Sequence, residues 1–396
     1  MSRVVVAGAG IFGVTSALEL RHRGHHVVLC DPGPVPHPLA ESTDISKVIR
    51  MDYGADEAYT ALMERALPGF RAWNQAWGET LFHETGVTFL ARGPMTPGSF
   101  EHESHRVLSA RGHALERLDE RAIHARFPAW NEGRERFVDG YFNPVGGFAE
   151  SARVVARLVR DAERASVSLR VGANVTSVVQ RDGVVTGAAL DDGDILAADV
   201  VVVAAGGWST RILPELAASF VTVGLPVFHL RPRDASRYRP EIFPVFGADI
   251  SRTGWYGFPA NDQGLVKIAH HGPGRPMASG DVERRVVSEG ERRELFAFLE
   301  GAFPDLARAE LVATRICVYS DSLDEHPWIA RDPARPGLVV ATGGSGHGFK
   351  FAPVIGELVA DALAGVPRPE LVKFRWRPEL RVSQPEEAAR QHRGSA

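Results

Sequence analysis

Arg3-Val4-Val5-Val6-Ala7-Gly8-Ala9-Gly10-Ile11-Phe12-Gly13, running on through Val14 to Arg23 and then His25-His26-Val27-Val28-Leu29-Cys30-Asp31, decides the fold. Arg3 to Ala7 is a short β-branched run and reads as a buried parallel strand. Ile11 to Arg23 has helical spacing, and Gly24 closes that helix where a residue with positive φ is needed. His25 to Cys30 is a second strand with Asp31 at its end. The turn between the first strand and the helix has the spacing Gly8-x-Gly10-x-x-Gly13. Gly8 permits the tight turn, Gly10 lets backbone approach a pyrophosphate, and Gly13 lets helix and strand pack closely. Ile11 and Phe12 open the helix, whose free N–H groups and partial positive charge suit a phosphate. Asp31 stands where an acid accepts from a ribose hydroxyl, at about the expected offset of roughly 20 residues. The unit is therefore read as a dinucleotide site; the loop by itself leaves FAD and NAD both open.

Working outward, further nucleotide-type strands occur in the middle and at the end of the chain. Val200 to Ala205 is a buried strand running into Gly206-Gly207-Trp208, and Leu338 to Ala341 runs into the glycine-rich loop 343–348 before a closing helix from Val354 to Ala364. Two Gly-rich turns after two strands favour FAD over NAD, and Val175, Gly206, Trp208, Gly344, Gly346, His347, Gly348, Phe349 and Lys350 join the cofactor candidates. Pro32 to Pro38 breaks regular structure with four prolines in seven positions. Helices are expected from Asp56 to Trp77, Ala149 to Ala165 and Glu289 to Phe303. Leu169 to Val179 and Val184 to Leu190 read as strands joined by the Asp182-Gly183 turn. Segment 221–275 reads as several strands. The fold class is α/β: a discontinuous Rossmann-type FAD-binding domain (1–80, 146–220 and 326–385) with an interleaved α+β substrate domain (81–145 and 221–325) built on an antiparallel sheet. Residues 386–396 are expected to form a polar tail, frayed beyond Gln384.

Composition narrows the function classes. The 396 residues are 44% hydrophobic, enough for two cores, and carry 45 basic against 49 acidic side chains for a net charge of −4. That balance, without a basic cluster, argues against a nucleic-acid or membrane partner. The longest apolar stretch, near Val200 to Ala205, is too short to span a bilayer. The chain starts directly on a strand, so no signal peptide is expected, and its 2 cysteines suit a reducing cytoplasm. No metal site is read.

Three stretches resemble the monomeric sarcosine oxidase family, whose members include N-methyl amino acid, pipecolate and fructosyl amino acid oxidases. They are Tyr256-Gly257-Phe258-Pro259 with Gly264 to His271, Cys317-Val318-Tyr319 with Asp324-Glu325-His326, and Gly344-Ser345-Gly346-His347-Gly348-Phe349-Lys350-Phe351. The resemblance implies FAD held through a thioether from Cys317 to the flavin 8α-methyl carbon. It implies that Lys267 promotes the reaction with oxygen, since a fixed cation stabilises charge developing on it. It implies that Arg50 and Lys350 bind a substrate carboxylate, and that Tyr256, Tyr319 and His271 lie at the active site. Cys30 reads as core.

One segment departs from the pattern. Where sarcosine oxidases carry a histidine and an arginine ahead of Arg50, this chain has Thr43 and Lys47. The run Asp44 to Arg50 looks more like fructosyl amino acid and pipecolate oxidases, which implies a larger secondary amine with polar groups for Asp44 and Lys47. The expected function is FAD-dependent oxidation of a secondary amino acid to an imine, with oxygen reduced to hydrogen peroxide by a monomeric enzyme. Two alternatives stay open at this point: a biosynthetic tailoring flavoenzyme acting on a cyclic imino acid or N-substituted intermediate, and a non-catalytic flavin-binding redox subunit.

Overall fold

A computed structural model describes residues 1–277 and 285–392. Its first layer is a six-stranded sheet in the order Trp328–Arg331, Leu338–Thr342, Val200–Val203, Arg3–Ala7, His26–Asp31, Ser168–Val171. All neighbours are parallel except the edge pair Trp328–Arg331 and Leu338–Thr342. Both faces of this sheet are covered, which is why its strands read as unbroken apolar runs. Val4 and Val6 face a core shared with helices Ile11–His22, Ser151–Arg164 and Ala352–Ala364. Val5 and Ala7 face the opposite core, closed by the antiparallel strands Val175–Arg181 and Val184–Leu190. Each buried valine contributes about 1.5–3 kcal/mol of transfer free energy.

Leu169 to Val179, expected as one strand, is two. Gly172 takes φ +82°, and the Gly172 and Ala173 N–H groups both donate to the Asp31 carbonyl, at 2.8 and 3.1 Å. The chain bends there, so Ser168–Val171 stays in the parallel sheet while Val175–Arg181 joins the antiparallel one.

The second layer is a nine-stranded sheet. It is antiparallel apart from one parallel pair, Val245–Ala248 beside Val87–Ala91. Its longest ribbon joins Phe220–Arg231 to Glu310–Ser322, with Leu225 opposite Cys317 and Val223 opposite Tyr319. Helix Glu289–Ala302, opened by a capping box between Ser288 and Glu291, packs its Leu295, Phe298 and Leu299 into the aromatic core behind this sheet.

The segment expected to fray does not. Gln384 N–H donates to the Leu323 carbonyl at 2.7 Å, and Glu387, Ala389 and Arg390 are buried. Arg390 donates to Asp321 and Glu325 at 2.8 and 2.7 Å. Low hydropathy suggested a solvated tail, yet its charges complement acids already buried in the body. Residues 393–396 of the expected polar tail lie outside the described residues. No helix among the described residues is long and apolar enough to cross a membrane.

Candidate active site

At the carboxyl ends of the parallel strands lies a cleft of about 420 Å³, the place where open α/β sheets bind nucleotides. Gly8, Gly10, Ile11, Phe12 and Asp31 line one part of it, and Val175, Gly206 and Trp208 another. Gly344, Gly346, Gly348 and Phe349 from the last glycine-rich loop also face it, together with Lys47. Cys30, read as core, is buried but forms part of this wall too.

The loop is shaped by lack of side chains. Gly8 has φ +103°, and a Cβ there would press on the Ala204 carbonyl oxygen. A Cβ on Gly13 would overlap the Gly8 carbonyl oxygen, so Gly13 sets helix–strand packing and does not itself line the cleft. Asp31 accepts from the Ala9 N–H at 2.9 Å and the Gly33 N–H at 3.1 Å. Burial raises its pKa despite those bonds. A cleft at a helix N-terminus, with a buried acid and many glycines in its wall, fits FAD.

Beyond the cleft is a chamber built on one face of the large sheet. Alternate residues of a strand share a face. Lys267 and Ala269 of Val266–His270, and Cys317 and Tyr319 of Glu310–Ser322, therefore point the same way, while Val266, Ile268, Ile316 and Val318 enter the opposite core. His271 and Tyr256 join the first group: the His271 ring lies 5.9 Å from that of Tyr319 and 6.3 Å from that of Tyr256. Burial raises the pKa values of both tyrosines. Burial, with Arg390 nearby, holds His271 well below its ordinary pKa, so it is neutral. The Lys47 ammonium donates to Cys317 Sγ at 3.5 Å, joining the chamber to the cleft.

Lys267 is buried, with Nζ 2.6 Å from Asp44 Oδ2 and donating to the Ser46 carbonyl at 2.5 Å. Burial lowers its pKa to about 8, against the opposing pull of Asp44. Burial alone would raise Asp44, but Lys267, His229 and Arg315 draw it well below the carboxylate range. Asp44, expected to face substrate, is instead the counter-ion of Lys267.

Arg50 and Lys350 do come together. Lys350 Nζ donates to Tyr53 Oη at 3.1 Å and to the His347 carbonyl at 3.0 Å, and the Arg50 guanidinium stacks 4.6 Å from the Tyr53 ring. Burial drives Lys350 well below the usual lysine pKa, and the Arg50 charge adds to the effect. Facing them is a carboxylate that belongs to the chain: Arg50 Nη2 donates to Glu387 Oε1 at 2.9 Å. Among the cofactor candidates, His347, Lys350 and Cys317 are not part of the cleft wall, as Gly13 is not. The His347 ring bonds Tyr53 Oη through Nδ1 at 3.1 Å and the Glu325 carbonyl through Nε2 at 2.9 Å. The reason is local: Gly346 takes φ +73°, so the loop reverses and presents its backbone to the cleft and its next side chain to the chamber. Sequence reading missed Tyr53, Glu387 and Glu41. Burial pushes Glu41 up to about 7, and its Oε1 accepts from the Gly346 N–H at 3.2 Å at the edge of the cleft. A tyrosine three residues past Arg50 was a signal for the first; the others carry none.

Residues 3–362 match the family described as FAD dependent oxidoreductase. The chain is 30% identical to a monomeric sarcosine oxidase of Streptomyces avermitilis, over 91% of this chain and 94% of that protein. It is equally, 30%, identical to an N-methyl-L-tryptophan oxidase of Salmonella arizonae, over 94% of this chain and 97% of that one. Among solved structures, fructosyl amine:oxygen oxidoreductase (Amadoriase I) of Aspergillus fumigatus superposes with a TM-score of 0.84 at 25% identity, covering 100% of this chain and 94% of its own.

Proposed function

The chain belongs to the monomeric sarcosine oxidase family of FAD-dependent oxidoreductases, and on that premise we propose that it oxidises the C–N bond of an N-substituted α-amino acid to the imine, with oxygen as acceptor and hydrogen peroxide as product. The observation that carries this reading is the buried carboxylate already seated on Arg50, with Lys350 alongside, in a chamber walled by Tyr256, Tyr319 and His271. That chamber takes an α-carboxylate and presents the adjoining amine to the end of the cleft marked by Lys47 and Cys317.

When bound, FAD supplies the two-electron acceptor for the amine. The chain's own groups do the rest by position and charge. Arg50 and Lys350 fix the carboxylate. Neutral His271 and the two tyrosines exclude water and add no charge that would keep the amine protonated. Lys267, held by Asp44, offers a cation for charge developing on oxygen. Cys317 is the proposed thioether attachment, with the Lys47 ammonium against its sulfur. The enzyme's place of work is proposed to be the cytoplasm, as a monomer, in keeping with two free cysteines.

The test is a panel of sarcosine, N-methyl-L-tryptophan, L-pipecolate and a fructosyl amino acid. Anaerobic bleaching of the flavin spectrum and peroxide release in air are expected for at least one. Purified flavoprotein that none of them bleaches would overturn the reading.

A further inference from the structure

We infer that Glu387 is an internal ligand of the carboxylate subsite, carried on a strap of residues 386–392, and that a substrate's carboxylate must displace it in order to bind. This rests on the reading of Arg50 and Lys350 as a carboxylate grip.

The pairing is incomplete in an informative way. Arg50 and Glu387 side chains are only 5% and 1% exposed. Yet Arg50 Nη1 and Glu387 Oε2, both buried, have no hydrogen-bond partner among the described residues. A guanidinium and a carboxylate that meet freely make two parallel bonds. Here the tether of the strap allows one. A small carboxylate untethered to the chain can make both and so can compete. Burial alone would raise the Glu387 pKa, but the Arg50 charge draws it far below the ordinary range, and Lys350 and the rings of His347 and His271 lie around the same carboxylate. The subsite is thus built for an anion, whichever one fills it.

The strap is fastened by polar contacts. Arg390 binds Asp321 and Glu325, the Glu387 N–H donates to Glu325 Oε2 at 3.0 Å, and the Gln391 N–H donates to the His271 carbonyl at 3.0 Å. Its apolar hold is Ala389, which is fully buried, while Ala388 is exposed. A second hollow of about 340 Å³ is bordered by Ala388 of the strap together with Gly54, Phe100, Glu101 and Arg252. The Phe100 ring also lies 5.7 Å from the Arg50 guanidinium carbon. The exchange also conserves charge: one carboxylate leaves as another arrives, and Arg50 is never left buried without a counter-ion. An amine that lacks a carboxylate cannot make the exchange, so the strap selects for amino acids.

The test uses acetate and benzoate, which cannot be oxidised here, titrated into the flavin-loaded protein while the flavin absorbance is followed. If the strap is closed in roughly nine molecules of ten or more, Glu387→Gln tightens acetate binding about tenfold or more. In the unaltered protein, saturating acetate speeds amide hydrogen exchange in the peptide 384–392. Acetate affinity that is unchanged or weaker in Glu387→Gln, or strap exchange that acetate does not alter, would each overturn the inference. Neither readout needs an amine to be turned over, so failure of the proposed reaction and failure of the strap are separately visible.

Discussion

Replacing Asp44 by Asn tests the proposal that Lys267 supplies a cation for the reaction with oxygen. The two groups are 2.6 Å apart and each side chain is 2% exposed. At that separation, with an effective dielectric of about 20, the attraction is ~6 kcal/mol. Asn keeps the size and can still accept a hydrogen bond, so only part is lost; half, ~3 kcal/mol, corresponds to about two pH units. Lys267, now at about 8, should move to about 6. Its cation then falls from ~10:1 over the neutral amine at pH 7 to ~1:10. In the proposed reaction the protonated form is the useful one. Reoxidation of the reduced enzyme should therefore fall as pH rises through about 8 in the unaltered protein, and through about 6 in the variant. Stopped-flow reoxidation between about pH 5 and pH 9 reads both midpoints. The same ~3 kcal/mol, over an unfolding entropy of ~0.8 kcal/mol/K for a chain of this length, should lower Tm by about 4 °C. A variant with an unmoved midpoint, or an unaltered protein with a flat profile, would refute the reasoning.

Further expectations concern the cofactor and the buried acids. Gly10 and Gly13 should separate: a Cβ on Gly10 meets only Ser42 Oγ at 3.3 Å, whereas one on Gly13 overlaps the Gly8 carbonyl. Gly10→Ala should melt normally but load FAD weakly, while Gly13→Ala should lower the melting temperature before any cofactor is added; equal melting curves would count against this. Cys317→Ser should shed its yellow colour into the supernatant on acid precipitation, and the unaltered protein should keep it in the pellet; colour released from both means no covalent bond. Burial pushes Glu101 up to about 7. An acid raised in the folded state gives stability that is full below its ordinary pKa of about 4.5 and lost as pH rises through about 7. Glu101→Gln should accordingly gain on the unaltered protein between about pH 5 and pH 8, by up to ~3 kcal/mol. A stability gap that does not change with pH would contradict it.

The opening βαβ unit was legible because each of its steps is local. A β-branched run makes a strand, Gly8 and Gly13 leave room for one turn, and Asp31 ends the next strand. Face alternation was legible for the same reason: Lys267 with Ala269, and Cys317 with Tyr319, follow from a period of two. The side-chain direction of His347 was not. Its neighbours mark a cofactor loop, but the turn at Gly346 sends backbone and ring to different sites. Asp44 was mistaken for a substrate contact because its partner Lys267 lies on a distant strand. The Arg50–Glu387 pair spans 337 positions, and no local pattern announces it. Hydropathy made residues 386–392 look solvated because it measures how polar a segment is, not whether the body holds charges to match.

The six-stranded sheet has a consequence for how the protein is born. Its central strand Val200–Val203 lies between Arg3–Ala7 and Leu338–Thr342, so one edge of an all-valine strand stays unpaired until Thr342 has left the ribosome. The wall of the cleft that includes Gly344, Gly346 and Gly348 emerges later still. A growing chain must shield that edge while residues 204–342 are being made, which makes it the site where a holding chaperone is expected to act and where products truncated in that span will aggregate.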